Sequence, residues 1–131
     1  MTEIEKKIKA MQEAAGVIYD HGWGEASAGN MSILIGDKTD YKRSNKISLK
    51  KKLIHLRNKT ILITASGTRM RQIYSGIEIK MFSLITLDEK GEAYYCHPDF
   101  SDRPSSEISA HLMIHNEFCK MKKSDTAIVH C

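Results

Sequence analysis

The sequence contains no long hydrophobic run, and this absence argues against an integral membrane protein. Within its 131 residues, no apolar stretch approaches the ~18 residues that a membrane-spanning helix needs. Residues 1–16 mix acidic and basic side chains and lack the apolar centre of a secretory signal peptide. We therefore expect a cytoplasmic protein without a membrane partner.

Cysteine is also scarce, and the three residues present form no recognisable framework. Cys96, Cys119 and Cys131 are an odd number in a chain without an export signal, which favours reduced thiols over disulfides. Their spacing matches no zinc finger. Internal repeats are absent as well, and a composition of 41% hydrophobic and 27% charged residues predicts one globular domain or part of one.

Positive charge is concentrated in residues 37–59, which we call the basic segment. It contains nine Lys or Arg and two Asp, a local charge of +7 in a chain whose total is +4. We predict a lysine-rich, irregular insertion that lies outside the hydrophobic core. A nucleic acid or an acidic lipid surface is the alternative partner for such a segment. Because Tyr41 is its only aromatic residue, base stacking has little to work with, and we expect no nucleic-acid partner.

Hydrophobic periodicity predicts a helix, a series of strands, and then a second helix followed by a strand. Thr2 and Glu5 form a capping-box pattern ahead of an apolar stripe that ends near Gly22. The predicted strands cover residues 30–36, 61–65, 82–87, 92–96 and 126–131, and the second helix covers residues 105–121. This order indicates an α/β layered domain whose central sheet is mostly antiparallel or mixed and is flanked by helices.

Three turns of small residues lie next to predicted strand or helix ends, at 28–30, 65–67 and 104–107. Glycine lets a backbone approach a ligand closely, and serine and asparagine supply short hydrogen-bond donors. The third turn opens a helix, where unpaired N–H groups favour an anion. Together the turns could form a phosphate pocket, although each one alone is also typical of an ordinary turn or helix cap.

Glu107 is the candidate acid, because it follows two serines at the first turn of the second predicted helix. The alternative is that its carboxylate only complements the helix dipole. Glu107, His111 and His115 recur every four residues on one helix face, a spacing that can bind a metal but is unspecific. A partly exposed polar stripe is the favoured interpretation of this face.

His130 stands at the end of the last predicted strand and suggests half of a metal site. A residue two positions further along a strand would share its face, and two histidines so spaced can bind one zinc ion. Cys131 would point to the opposite face of the strand. A single histidine cannot hold a metal, so an ordinary strand histidine is the alternative.

Four motifs carry a resemblance to a known family. In order along the chain, GWGEASAGNMSILIG, ILITASG, RPSSEISAHLMIH and TAIVHC resemble the N-terminal part of the class II aldolase/adducin family. The resemblance implies that residues 1–131 are the N-terminal part of a single domain that is incomplete at its C-terminus, with the basic segment inside it. It also implies a homotetramer.

The resemblance further implies a zinc-dependent lyase that splits a ketose 1-phosphate into dihydroxyacetone phosphate and an aldehyde. The long segment before ILITASG favours a deoxyketohexose, rhamnulose 1-phosphate, with L-lactaldehyde as the second product. Fuculose 1-phosphate cleavage, sugar-phosphate epimerisation and a non-catalytic, adducin-like binding module are the alternatives. The 131-residue chain by itself is expected to be inactive.

Carried over residue by residue, the resemblance implies three roles. Glu107 would be the catalytic acid/base. His130 would be the first zinc ligand, the second would follow Cys131, and a third would lie further along the protein. The phosphate would be bound by Gly29, Asn30, Ser66, Gly67, Ser105 and Ser106.

Overall fold

The computed structural model describes residues 2–21, 29–37, 45–76, 78–123 and 126–130. Predictions that concern Gly22, Ala28, Tyr41 and Cys131 lie outside these residues. Over the described ranges, no helix is both long and apolar enough to cross a membrane. The elements are α1 (Glu3–Asp20), β1 (Asn30–Asp37), β2 (Lys46–Ser48), β3 (Lys59–Thr64), α2 (Met70–Ser75), β4 (Phe82–Leu87), β5 (Ala93–Cys96), α3 (Ile108–Lys120) and β6 (Ala127–His130).

The described strands form one six-stranded sheet in the order β2-β5-β4-β3-β1-β6. Every pair of neighbouring strands is antiparallel. The predicted α/β layered fold with a mostly antiparallel sheet is therefore confirmed. The order also brings the start of β1 beside the end of β6, because Asn30 pairs with His130.

Side chains alternate along each central strand, so apolar residues project from both faces of the sheet. Helices cover both of these faces. On one face, Met31 and Leu62 pack with the apolar stripe of α1, which includes Met11. On the other face, Leu34 and Ile61 pack with Leu112 of α3. The predicted capping box begins α1, since the Thr2 hydroxyl accepts from the N–H of Glu5 (3.1 Å) and the Glu5 carboxylate accepts from the N–H of Thr2 (3.3 Å).

The second half of the basic segment differs from the predicted irregular insertion. Lys46–Ser48 forms the edge strand β2 and pairs with β5. Leu53 precedes a short 3-10 turn and Leu56 is its last residue; they are 4% and 0% exposed and pack in the core beside α3. The prediction was wrong here because two leucines three residues apart outweigh the surrounding lysines, whose flexible stems keep their charges in water.

The helix α2 was missed by periodicity, which indicated only a polar link between β3 and β4. It is too short to show a full apolar stripe, and among its side chains that the structure describes only Ile73 is completely buried. Its start is held by the Gln72 side chain, which accepts from the N–H of Arg69 at 2.7 Å. A helix of this length depends on tertiary packing, so local sequence is a weak guide to it.

Candidate active site

A cleft of about 340 Å³ opens where the start of β1 and the ends of β3 and β6 meet the start of α3. It is lined by the three small-residue turns, together with the side chains that follow or precede them. The structure thus brings together the eight residues for which the family resemblance implies phosphate, acid/base and metal roles. The lining residues are Gly29, Asn30, Thr64, Ala65, Ser66, Gly67, Thr68, Ser105, Ser106, Glu107 and His130.

Backbone hydrogen bonds join the second turn to the third. The N–H of Ser66 donates to the carbonyl of Arg103 (2.7 Å), and the N–H of Ser105 donates to the carbonyl of Thr64 (2.9 Å). Between these two bonds, Ala65 and Pro104 form an isolated antiparallel β-bridge just beyond the end of β3. The start of α3 is therefore fixed against the end of the central strand.

A side-chain hydrogen bond joins the residue that follows the first turn to the residue that precedes the second. The hydroxyl of Thr64 accepts from the N–H of Met31 at 3.1 Å. Sequence reasoning missed Thr64 as a lining residue. The only signal available was a small polar residue at the end of an apolar strand, which is common in strands of any function.

The serine hydroxyls and the glycines determine what the turns can bind. The Ser105 Oγ accepts from the N–H of Glu107 (3.2 Å), which leaves its own proton to donate. Ser66 and Ser106 are exposed at the cleft. Gly29 and Gly67 have φ angles of +98° and +81°, which side-chain-bearing residues rarely adopt. The turns can therefore approach a ligand closely and offer it hydroxyl donors.

Glu107 lies at the N-cap position of α3, with its carboxylate at the cleft. Its Oε2 accepts a 2.8 Å hydrogen bond from the Asn30 amide and also contacts the Nδ1 of His130. These contacts lower the pKa of Glu107, the Asn30 hydrogen bond most strongly, and His130 next among the groups that stabilise the anion. A carboxylate with a lowered pKa is ionised at neutral pH and can accept a proton.

Both the nitrogen and the oxygen of the Asn30 side-chain amide form hydrogen bonds within the protein. Its Nδ2 donates to Glu107, and its Oδ1 is hydrogen-bonded to the Nε2 of His111. The amide of Asn30 is thus committed to the protein rather than to a ligand. A contribution of this side chain to phosphate binding would require it to give up one of these two hydrogen bonds.

His111 and His115 are buried, with exposures of 2% and 0%. The predicted partly exposed polar stripe is therefore wrong. The two rings face the sheet, where the hydroxyl of Ser32 lies 2.6 Å from His111 Nδ1 and 2.8 Å from His115 Nε2. The sequence could not show this, because the partner hydroxyl is 79 and 83 residues away from the two rings. Burial lowers the pKa of both histidines, that of His115 to about 4.

The described residues of the cleft supply only some of the ligands that a metal site needs. Among the residues that the structure describes, no group of three or more His, Cys, Asp or Glu side chains is arranged to hold a metal. His130 and Glu107 touch each other and offer one nitrogen and one oxygen donor, both of which zinc accepts. His130 therefore fits one position of a zinc site, and a stable site would require further ligands.

Comparison with known proteins gives consistent matches over nearly the whole chain. Residues 9–131 match the family model described as Class II Aldolase and Adducin N-terminal domain. A rhamnulose-1-phosphate aldolase from Mannheimia succiniciproducens is 28% identical over 136 residues, which cover 95% of this chain and 49% of that protein. The corresponding protein of Bacteroides thetaiotaomicron is 26% identical over 131 residues, which cover 95% of this chain and 48% of that protein. The chain therefore spans about half the length of the curated relatives it matches.

A solved structure shares the fold. The crystal structure of a sugar-phosphate aldolase from Thermotoga maritima superposes with a TM-score of 0.80 at 28% sequence identity. The match covers 98% of this chain and 54% of that one.

Proposed function

The chain belongs to the class II aldolase and adducin family, and from that premise we propose that it supplies the phosphate-binding and proton-transferring part of a zinc-dependent aldolase. The proposed substrate is a deoxyketohexose 1-phosphate, rhamnulose 1-phosphate, and the products are dihydroxyacetone phosphate and L-lactaldehyde. The names of the similar proteins favour this substrate over other sugar phosphates. A homotetramer and a cytoplasmic location belong to the same proposal.

One observation carries the proposal: a single cleft joins the three small-residue turns to Glu107 and His130. A binding module could use such turns for a phosphate. It would have no need of an ionised carboxylate held by Asn30 at the mouth of the same cleft. The combination of an anion site with a positioned acid/base favours catalysis.

The phosphate group would bind to the serine side of the cleft. The hydroxyls of Ser66 and Ser106 are exposed there, and the Ser105 hydroxyl keeps a proton to donate. The start of α3 adds the partial positive charge of a helix N-terminus. Binding the phosphate, which does not react, would hold the reacting carbons in place beside Glu107.

Glu107 would carry the proton that the reaction moves. When the C3–C4 bond breaks, the hydroxyl on C4 loses its proton to become the aldehyde, and C3 of the phosphate-bearing fragment must gain one. An ionised carboxylate can accept the first proton and deliver it to C3, a contribution of ~10²–10⁴ in rate. His130 would be one ligand of a zinc ion, whose chemistry is to withdraw negative charge from the oxygens of the three-carbon fragment.

The experiment is an aldolase assay of the protein expressed from its complete reading frame. Cleavage of rhamnulose 1-phosphate is measured through the reduction of the dihydroxyacetone phosphate that it releases. The assay is run with and without a chelator. We expect chelation to abolish turnover and added zinc to restore it. Parallel incubations with fuculose 1-phosphate, and product analysis for epimers, separate the alternatives within the family.

Two variants on α3 test the assigned acid/base. Glu107→Gln should lower kcat by ~10²–10⁴ while the bound zinc is retained. Glu117→Gln changes an exposed carboxylate on the same helix and should leave kcat unchanged. Full turnover of Glu107→Gln would contradict the role of Glu107, and full turnover in the presence of chelator would contradict the metal-dependent mechanism.

A further inference from the structure

A row of five hydrogen-bonded polar residues, of which Ser32, His111 and His115 are buried, lies between α3 and the sheet and ends at Glu107. We call it the polar relay. It alternates sheet residues with histidines of α3, and its last member precedes β6. Its members are Asn30, Ser32, His111, His115 and Thr126.

Hydrogen bonds connect the relay without a gap. The Thr126 hydroxyl lies 3.3 Å from His115 Nδ1, and His115 Nε2 lies 2.8 Å from the Ser32 hydroxyl. The same hydroxyl lies 2.6 Å from His111 Nδ1. His111 Nε2 is hydrogen-bonded to Asn30 Oδ1.

The direction of every bond follows from the carboxylate at the end. Ionised Glu107 only accepts, so Asn30 must present its NH2 group to it and its carbonyl oxygen to His111. A neutral His111 then carries its proton on Nε2, and its bare Nδ1 accepts from a hydroxyl. The amide orientation and the histidine tautomer are therefore fixed together.

The same logic continues to the far end of the relay. The hydroxyl of Ser32 donates its single proton to His111, so its oxygen accepts from the Nε2–H of His115. The bare Nδ1 of His115 accepts from the Thr126 hydroxyl. A single arrangement of protons satisfies all five hydrogen bonds. In each bond, the acceptor is the group that lies nearer to Glu107 along the relay.

We infer that the polar relay positions Glu107 for proton transfer, by fixing the Asn30 amide so that its NH2 group faces the carboxylate. The inference rests on the function proposed above, and it assigns His111, His115 and Ser32 as positioning residues. The neutral state that the relay requires agrees with the lowered pKa values that burial gives both histidines. If the relay had a purely structural role, the histidines would need buried hydrogen-bond partners. That role would give no reason for all the hydrogen bonds to donate in the same direction, toward Glu107.

Ser32→Ala breaks the relay at its centre, and the chain offers a matched control. Ser32 pairs with Ile63 of β3, which pairs with Ser83 of β4, so both serines lie in one row on one sheet face. Ser83 is buried too, and its Oγ has no hydrogen-bond partner among the described residues. Ser83→Ala therefore removes the same atom from the same kind of position without touching the relay.

The first readout is independent of activity. In histidine-labelled protein at neutral pH, long-range ¹H–¹⁵N spectra should show His111 and His115 as neutral Nε2–H tautomers. Ser32→Ala should shift the His111 Nδ1 resonance and the side-chain amide resonances of Asn30, and Ser83→Ala should leave both in place. Nδ1–H tautomers or charged rings in the unsubstituted protein would overturn the relay.

The second readout separates positioning from binding. Ser32→Ala should lower kcat by about 10- to 100-fold, the range seen for groups that orient a reactive residue, and should change KM by less than about twofold. Ser83→Ala should change neither. If the protein is active and both variants have the same kcat, the relay is overturned but the aldolase is not. If the unsubstituted protein has no aldolase activity, the proposed function is overturned, and the tautomer test still decides the relay.

Thr126→Val replaces Ser32→Ala if that variant does not fold. It removes the outermost hydroxyl of the relay at a partly exposed position, and the His115 Nδ1 resonance should move. An unmoved resonance would contradict the relay.

Discussion

The Nδ2 of Asn30 donates a 2.8 Å hydrogen bond to the Oε2 of Glu107, which joins the first residue of β1 to the residue before α3. The two residues are 77 positions apart in sequence. This bond is the largest single cause of the lowered pKa of Glu107. The sheet therefore determines where the carboxylate lies and stabilises its ionised form.

Asn30→Asp tests this bond with a side chain of the same shape. The substitution removes the donor and can place a second negative charge against Glu107. We expect kcat to fall by about 10²-fold, which corresponds to the ~3 kcal/mol at the upper end for a hydrogen bond to a charged group. Steady-state assays of cleavage measure this effect.

Asn116→Asp is the matched control. The Oδ1 of Asn116 accepts from the N–H of His55 at 2.9 Å, and a carboxylate keeps that acceptor. Its kcat should equal that of the unsubstituted protein. If Asn30→Asp behaves like Asn116→Asp, the amide of Asn30 does not hold the acid.

Ser66→Ala tests the phosphate side of the cleft. The variant loses an exposed hydroxyl that would donate to the phosphate, a charge-assisted bond worth about 1.5–3 kcal/mol. We expect KM for the sugar phosphate and the inhibition constant of inorganic phosphate to rise about tenfold or more, with a smaller change in kcat.

Ser48→Ala, in the exposed edge strand β2, provides the comparison for Ser66→Ala. It removes the same hydroxyl from a strand that contributes no residue to the cleft. Inhibition by inorganic phosphate that is equally strong in both variants would argue against a phosphate contact at Ser66.

The family and the layered antiparallel fold could be predicted because their signals are local. The capping box of Thr2 and Glu5 begins α1 as expected, and apolar runs bounded by turns give β3 and β4. The four motifs in order carried the family, which the match over residues 9–131 confirms. Each of these signals is contained within a short window of sequence.

The polar relay and the core role of the basic segment could not be predicted in the same way. The partner of His111 and His115 is Ser32, a small residue that looks unremarkable in an apolar strand. Leu53 and Leu56 are surrounded by lysines, and only the packing of α3 shows why they are buried. These features depend on contacts between distant residues, which periodicity does not record. The roles assigned to the cleft residues stay predictions until the variants are assayed.

Gly91→Ala should destabilise the hairpin that joins β4 to β5. Gly91 has a φ angle of +71°, and a Cβ there would lie 2.4 Å from the carbonyl oxygen of Leu53. The same approach lets the N–H of Leu53 donate to the carbonyl of Gly91 at 2.8 Å. We expect the free energy of unfolding to fall by about 1–3 kcal/mol from backbone strain, with the steric clash adding to it. Urea unfolding measures the change.

Gly76→Ala controls for the loss of glycine itself. Gly76 has an extended φ of 172° and open space around its Cα, so its substitution should change the free energy of unfolding by less than about 0.5 kcal/mol. Equal stability of the two variants would contradict the close contact between Gly91 and Leu53.

Acid should weaken the fold through His115 well before the carboxylates are protonated. Burial lowers the pKa of His115 from its usual 6.5 to about 4, so the folded state resists a proton that the unfolded chain accepts. The stability is therefore complete above pH 6.5 and is lost as the pH falls from 6.5 toward 4, by about 3 kcal/mol in total from this residue. Burial acts on His111 in the same direction and adds to the loss.

Urea unfolding at a series of pH values measures this loss, and two variants separate its cause from general destabilisation. His115→Gln keeps a donor and an acceptor but cannot titrate, so its free energy of unfolding should fall less steeply between pH 6.5 and 4. Thr60→Val removes a buried 3.0 Å hydrogen bond to Thr86 and no titrating group, so it should lower the stability equally at every pH. A pH dependence that is the same in His115→Gln as in the unsubstituted protein would mean that His115 is protonated alike in the folded and unfolded states, and the buried neutral histidine on which the relay depends would not exist.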